Sequence, residues 1–163
     1  MIVQFLIVIF AVALDRVSKI WMLDFLTQNG GYYPLWPKVF NLALVNNTGA
    51  AFGMLEGARW FFIAVTILVI IGAIIYLIKT RKITGWMFKI STAMIIGGAI
   101  GNLIDRIDTG VVLDFFYFEL INFAVFNVAD SFISVGAVLL GITILFLNDY
   151  GDEKALKNEA KSK

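Results

Sequence analysis

The stretch GNLIDRIDTGVVLDFF, residues 101–116, carries Asp105, Arg106, Asp108 and Asp114 directly after the apolar run AMIIGGAI, and Asp130 follows in FNVADS. The 163 residues contain no histidine and no cysteine. That excludes Ser-His-Asp and Cys-His catalysis, disulfides and the usual zinc-ligand sets. Asp, Glu, Lys, Ser, Thr and Tyr are then the groups left to move protons or attack a bond. Asp114 is flanked by apolar residues on both sides, as in a segment returning toward a membrane surface, where it could face Asp130. Two carboxylates facing each other where water is scarce cannot both ionise at neutral pH, so one keeps its proton. Such a pair holds an acid and a base at once, and needs neither metal nor cofactor to activate water against a peptide carbonyl.

Other polar groups accompany these two. Asn102 stands three residues before Asp105 and four before Arg106, so their heads are expected on one helix face; a plain Asp-Arg anchor at the headgroups explains the latter pair equally well. Asn127, Ser131 and Ser134 make one side of the last apolar segment polar around Asp130, which lies about two turns into that run. A structural carboxylate held by amides or an arginine is the plainer alternative for Asp130. Gly97 and Gly101 form a G-x-x-x-G pair, which marks close helix packing rather than chemistry.

Elements that could position these groups follow from composition. The chain is 60% hydrophobic and 15% charged, against about 45–50% apolar and about 25% charged residues in soluble domains, and its mean hydropathy is +0.87. An integral membrane protein follows. Apolar runs at about 2–25, 60–78, 83–104 and 123–147 predict four transmembrane helices, since lipid admits only helices or closed barrels. The first is interrupted by DRVSK, yet lacks a basic start and a small-residue cleavage site, so it reads as a true crossing rather than a leader. Between the first two runs VFNLALV alternates Phe40, Leu42 and Leu44 with Asn41, Ala43 and Val45, the period of a half-buried strand. The expectation is an all-α membrane protein with a small β-rich subregion on its outer surface, and a single domain spanning 1–163. The tail from about residue 148 is expected to be cytoplasmic and mobile.

Eight of the thirteen Lys and Arg residues fall on one side of this plan (Lys79, Arg81, Lys82, Lys89, Lys154, Lys157, Lys161, Lys163). The positive-inside tendency makes that side, with both termini, cytoplasmic. Asp105, Arg106, Asp114 and Asp130 then lie near the outer face, as do Asp15 and Lys19. No basic patch suggests nucleic acid.

The blocks DRVSK, NNTGAAFG, GGAIGNLIDR, VVLDFF and FNVADS, in this order on four hydrophobic segments, resemble the lipoprotein signal peptidase family, signal peptidase II. The resemblance covers the chain except its tail. It implies a bacterial inner-membrane aspartic endopeptidase that removes signal peptides from prolipoproteins just before a diacylglyceryl-modified cysteine, is inhibited by globomycin, and needs no cofactor. It implies Asp114 and Asp130 as the catalytic dyad. Asn47, Asn102, Asp105, Arg106 and Asn127 would be the polar residues around the site, and Asp15 and Lys19 a supporting pair. Three departures bear on loop geometry: Arg16 stands where the family often has Gln, FAV precedes the last block without the Pro often found there, and the chain between the two aspartates is short.

Three rival readings use the same residues. A proton- or ion-coupled carrier would relay cations through Asp130 and Asp105, but the acidic groups do not continue to the other end of the helices. An assembly subunit would use the G-x-x-x-G face. A Ser-Lys protease would need Ser18 with Lys19, or Ser91 with Lys89, whose spacings point the two heads to different sides of a helix.

Overall fold

The structure is a computed structural model that describes residues 1–49, 54–80 and 84–147. The tail from 148, residues 50–53 of the NNTGAAFG block, and Arg81 and Lys82 lie outside the described residues. Along the chain run α1 (Ile2–Gln28), β1 (Tyr32–Trp36), β2 (Phe40–Asn47), α2 (Arg59–Thr80), α3 (Trp86–Asp108), β3 (Val112–Tyr117) and α4 (Val128–Ile142). A π turn, Thr143–Leu147, continues α4.

Among the described residues, three helices are long and apolar enough to cross a membrane: Arg59–Lys79, Trp86–Asp108 and Val128–Phe146. Their mean hydropathies are 3.0, 1.5 and 2.1. The lowest value belongs to α3, the centre of the bundle, which packs against α1, α2 and α4. A helix surrounded by others can turn polar groups toward partners instead of lipid, and α3 buries Ser91, Thr92, Asn102 and Asp105 this way. α1 has the length to cross, at 27 residues, but carries Asp15, Arg16 and Lys19 in its second half.

The G-x-x-x-G glycines seat α3 on α1. A β-carbon on Gly97 would lie 2.7 Å from the Ala11 β-carbon, and one on Gly101 would lie 2.6 Å from Asp15 Oδ2. Without those side chains the two backbones approach closely enough for Asp15 of α1 to reach the start of α4 and for Lys19 to reach Asp105 and Asn102 on α3.

The three strands form one antiparallel sheet in the order β1-β2-β3. The alternation expected for β2 is broken: Asn41 and Leu42 are both buried, and its register against β3 shifts between Leu42 and Val45. A bulge turns the strand so that both faces find cover. β1 is an edge strand, exposed along its whole length, with Pro34 where no ladder donor is needed on the open side. Leu26, Leu42 and Phe115 form the core that holds the sheet to the end of α1. Burying a phenylalanine fully, as at Phe115, contributes about 2–3 kcal/mol.

Candidate active site

Asp114 lies on β3, which is covered on both faces. Phe115 points into the core under the sheet, and Asp114, its neighbour in a period-two strand, points the other way. Both are almost completely buried. After β3 the chain makes a short 3-10 turn at Glu119–Ile121, ended by Asn122 in the left-handed region at φ 47°, and doubles back. Phe126 then pairs beside β3: its N–H donates to Phe116 O at 3.0 Å, and its carbonyl accepts from Phe116 N at 2.8 Å. This return delivers Asn127 and the start of α4 to the level of Asp114, without the proline that the family resemblance leads one to look for.

α4 therefore begins at Val128, and Asp130 sits in its first turn, not two turns in as the length of the apolar run suggests. The cause is local. Asn127 is the N-cap, its side-chain oxygen accepting from Asp130 N at 3.0 Å, while Asp130 Oδ2 accepts from Asn127 N at 3.1 Å. This reciprocal capping box satisfies two backbone donors that a helix start otherwise leaves open. The pattern Asn127-x-x-Asp130 was available in the sequence as a helix-start signal.

Asn127 also joins the two carboxylates. Fully buried, its Nδ2 donates to Asp114 Oδ1 at 2.6 Å and to Asn102 Oδ1 at 3.1 Å. Asn102 Nδ2 donates to Asp130 Oδ1 at 2.7 Å. The other Asp114 oxygen accepts from Asn47 Nδ2 at 2.9 Å, and Asn47 Oδ1 accepts from Gly49 N at 2.9 Å. Asp114 and Asp130 both line a cleft of about 630 Å³ whose walls include Asn47, Asn102, Arg106, Ser131 and Ser134. Asp114 also lines an adjoining cleft of about 500 Å³ bounded by β2, Tyr117 and Asn122.

Burial pushes the Asp114 carboxyl up to about 7, and the nearby Asp130 charge adds to that rise; the amides of Asn47 and Asn127 and the more distant Lys19 pull it back in part. A carboxyl group that holds its proton near neutrality beside a second carboxyl is arranged to donate and accept protons in one cleft.

Asn102 shares Lys19 with Asp105 and shares the cleft with Arg106, as their spacing suggests, but Asp105 and Arg106 turn apart from each other. Arg106 turns to the cleft, donating to Gly49 O at 3.1 Å and lying 4.9 Å from the Phe62 ring centroid. Asp105 turns toward α1 and forms ion pairs with Arg16 and, at 2.7 Å, with Lys19. Arg16, a departure from the family pattern, is thus matched by a carboxylate. Lys19 also pairs with Asp15 at 2.8 Å, and Asp15 Oδ1 accepts from Ala129 N at 3.0 Å. Consecutive residues on a helix are about 100° apart, and each met a different partner.

The serines of the Ser-Lys alternative are committed to backbone carbonyls. Ser18 donates to Asp15 O at 2.8 Å while Lys19 faces Asp15, Asp105 and Asn102. Ser91 is buried and donates to Met87 O at 2.6 Å.

One further contact escaped sequence reasoning. Arg59, at the start of α2, donates to the carbonyls of Arg106 and Ile107 at 2.6 and 2.8 Å. It satisfies acceptors that the end of α3 leaves open and so ties that end to α2. Trp36 and the rest of β1 line neither of these two clefts.

The peptidase A8 family profile, described as signal peptidase (SPase) II, matches residues 7–146. A lipoprotein signal peptidase of Streptococcus pyogenes serotype M6 is 41% identical over 144 residues, covering 88% of this chain and 93% of that protein. The serotype M5 protein of the same name is 40% identical over the same shares. A bacterial membrane enzyme solved at 2.3 Å by the in meso method superposes with a TM-score of 0.77 at 30% identity, covering 93% of this chain and 92% of that one. With three helices of spanning length and a profile match over most of its sequence, the chain is an integral membrane protein that belongs to the signal peptidase II family.

Proposed function

We propose that this protein is a membrane-embedded aspartic endopeptidase that removes signal peptides from diacylglyceryl-modified prolipoproteins just before the lipidated cysteine. The observation that carries this reading is the pair of carboxylates in one cleft, Asp114 and Asp130, joined through Asn127 and Asn102, with Asp114 held near pH 7. In the proposed reaction a water molecule sits between the two carboxyl groups, one ionised and one protonated. The carboxylate takes a proton from the water as its oxygen attacks the scissile carbonyl. The acid donates its proton toward the developing oxyanion, and the pair then returns a proton to the leaving nitrogen as the C–N bond breaks. Protons shared in this way belong to the pair, so neither residue is permanently the base. Asn47, Asn102 and Asn127 orient the carboxylates, and Arg106 supplies positive charge at the cleft wall.

The reading includes a topology. α1 crosses together with α2, α3 and α4, its charged turn turned inward onto α3, which makes four crossings in a single domain over 1–163. Both termini face the cytoplasm in a bacterial inner membrane, and the cleft opens near the outer face, where an exported precursor still spans the bilayer. The diacylglyceryl group stays in lipid while the bond enters the cleft, so binding energy remote from the scissile bond positions it. Globomycin-type peptides would compete for the same cleft.

The test uses purified protein in detergent with a diacylglyceryl-modified precursor peptide. Asp114→Asn and Asp130→Asn are expected to lose cleavage by a factor of about 10³ or more, the scale of a lost essential proton-transfer group, with Asp105→Asn partly active. Retained cleavage in either dyad variant, or equal loss at Asp105 with activity kept at Asp114, refutes the assignment. A precursor lacking the lipid but cut with unchanged rate constant and affinity refutes the docking role of the diacylglyceryl group.

A further inference from the structure

Lys19 takes no part in the chemistry above, yet its side chain is 3% exposed between two helices, an expensive place for an ammonium. Its Nζ lies 2.8 Å from Asp15 Oδ2 and 2.7 Å from Asp105 Oδ2, and it donates to Asn102 Oδ1 at 3.1 Å. The two carboxylates account for its charge. The third contact lies next to the dyad.

An ammonium only donates hydrogen bonds, so the amide atom of Asn102 that faces it is the oxygen. The nitrogen is thereby committed to the other side, where it donates to Asp130 Oδ1 at 2.7 Å. The same Asn102 oxygen accepts from Asn127 Nδ2 at 3.1 Å, and that nitrogen donates on to Asp114 Oδ1 at 2.6 Å. A flipped Asn102 would set NH₂ against the Lys19 ammonium and the Asn127 NH₂, and oxygen against the Asp130 carboxylate. All three contacts would be repulsive in an interior with little water to screen them.

We propose that Lys19 is a positioning residue for the reaction: through Asn102 it fixes the direction of an amide relay so that both Asp114 and Asp130 receive N–H donors. The inference rests on reading those two residues as the dyad. Asp15 extends the same hold to the backbone, since its Oδ1 accepts from Ala129 N, the residue before Asp130.

The relay has an electrostatic signature. The groups facing Asp114 are Asp130 and Asn127 from α4, Asn47 from β2, Arg106 from α3 and Lys19 from α1. Burial and Asp130 raise its proton affinity, and Lys19 is the α1 charge that lowers it. Removing that charge strengthens the hold of Asp114 on its proton, so the alkaline limb of the pH-rate profile moves up. A residue that merely fills space does not move it.

The experiment compares the parent protein with Asp15→Asn/Lys19→Met, a double change that leaves Asp105 paired with Arg16, and with Lys19→Arg, which keeps charge and donors. Each is purified in detergent, its folded fraction measured by thermal unfolding, and its kcat and KM for the lipidated precursor peptide followed with pH. The double variant is expected to lose about tenfold or more in kcat with KM changed by less than about threefold, the scale of one misdirected charged hydrogen bond. Its alkaline limb is expected to rise by about half a pH unit or more, and Lys19→Arg to restore the limb and much of kcat. A folded double variant with parental kcat, or one with lower kcat, an unmoved limb and no rescue by arginine, overturns the proposal. Where the double variant does not fold, ¹⁵N NMR of the parent decides: Asn102 amide protons tied to Asp130 exchange slowly, and exchange at solvent rates overturns the relay. If Asp114→Asn or Asp130→Asn still cleaves, the dyad reading itself has failed, an outcome separate from a dead dyad with indifferent Lys19 variants.

Discussion

Replacing Asp114 by asparagine should stabilise the protein at alkaline pH while destroying the proposed activity. Asp114 is 1% exposed, and its carboxyl is raised from 3.8 to about 7, first by burial and then by Asp130. Each unit corresponds to about 1.4 kcal/mol, so the ionised form carries a folding penalty on the order of 4 kcal/mol when both states are fully deprotonated. The sign follows from linkage: a group whose folded pKa lies above its unfolded one gives full support below the unfolded value, and that support is lost as pH rises through the folded value. The window is therefore about pH 4 to 7. Asparagine removes the penalty but offers one acceptor where the carboxylate offers two, losing one of the bonds from Asn47 and Asn127 at a cost of about 1 kcal/mol. The net gain at pH 8 is about 3 kcal/mol, or roughly 6–12 °C in unfolding temperature for a chain of this size. Near pH 4 the gain vanishes and reverses by the cost of the lost bond. Unfolding in detergent, followed by intrinsic fluorescence at about pH 4, 6 and 8 for parent and variant, reads both the size and its trend. A variant no more stable than the parent at pH 8, or a difference that does not shrink on acidification, refutes the claim that Asp114 is held in a charge-averse pocket.

Cleavage should fall as pH rises through about 7, where Asp114 gives up the proton the proposed dyad shares; a profile flat from about pH 6 to 9 contradicts a dyad that needs one. Asn127→Ala should lower unfolding stability by about 1 kcal/mol through the lost N-cap. The same change should move the alkaline limb up, because one of the two amides that pull the Asp114 carboxyl down is gone; a limb that moves down contradicts the contact. Gly101→Ala places a β-carbon 2.6 Å from Asp15 Oδ2, so it should displace the ion cluster and cost about 1–3 kcal/mol of stability, with cleavage reduced. Unchanged melting would mean that α1 and α3 are less tightly seated than their backbones suggest.

The helices were legible in the sequence because lipid demands long apolar runs, and α1, α2 and α3 begin and end close to where those runs do. α4 was not, at its start. Residues 123–126 are as apolar as a helix in lipid, but Phe126 spends its backbone on β3, and hydropathy does not distinguish a buried bridge from a buried turn of helix. The capping pattern of Asn127 and Asp130 carried the missing information. In β2 the alternation identified the strand, while the bulge that buries both Asn41 and Leu42 depends on β3, which lies about 70 residues further on. Spacing put Asn102, Asp105 and Arg106 on one face of α3. It could not say that α1 would draw Asp105 one way and Gly49 would draw Arg106 the other. Such partners are chosen by tertiary contact between distant segments, which periodicity along one helix does not encode. β1 was missed as a strand because YYPLW has no alternation to read; pairing with β2 makes it one.

Because Asp130 helps to start α4 through its bond to the Asn127 N–H, one side chain serves architecture and, in the proposed reaction, turnover as well. A genetic screen scoring only lost activity would therefore merge two kinds of lesion at this position, helices that begin badly and centres that are chemically silent. Pairing each allele with its abundance in the membrane separates them. Asp114, which begins no helix, offers the cleaner genetic probe of the proposed reaction.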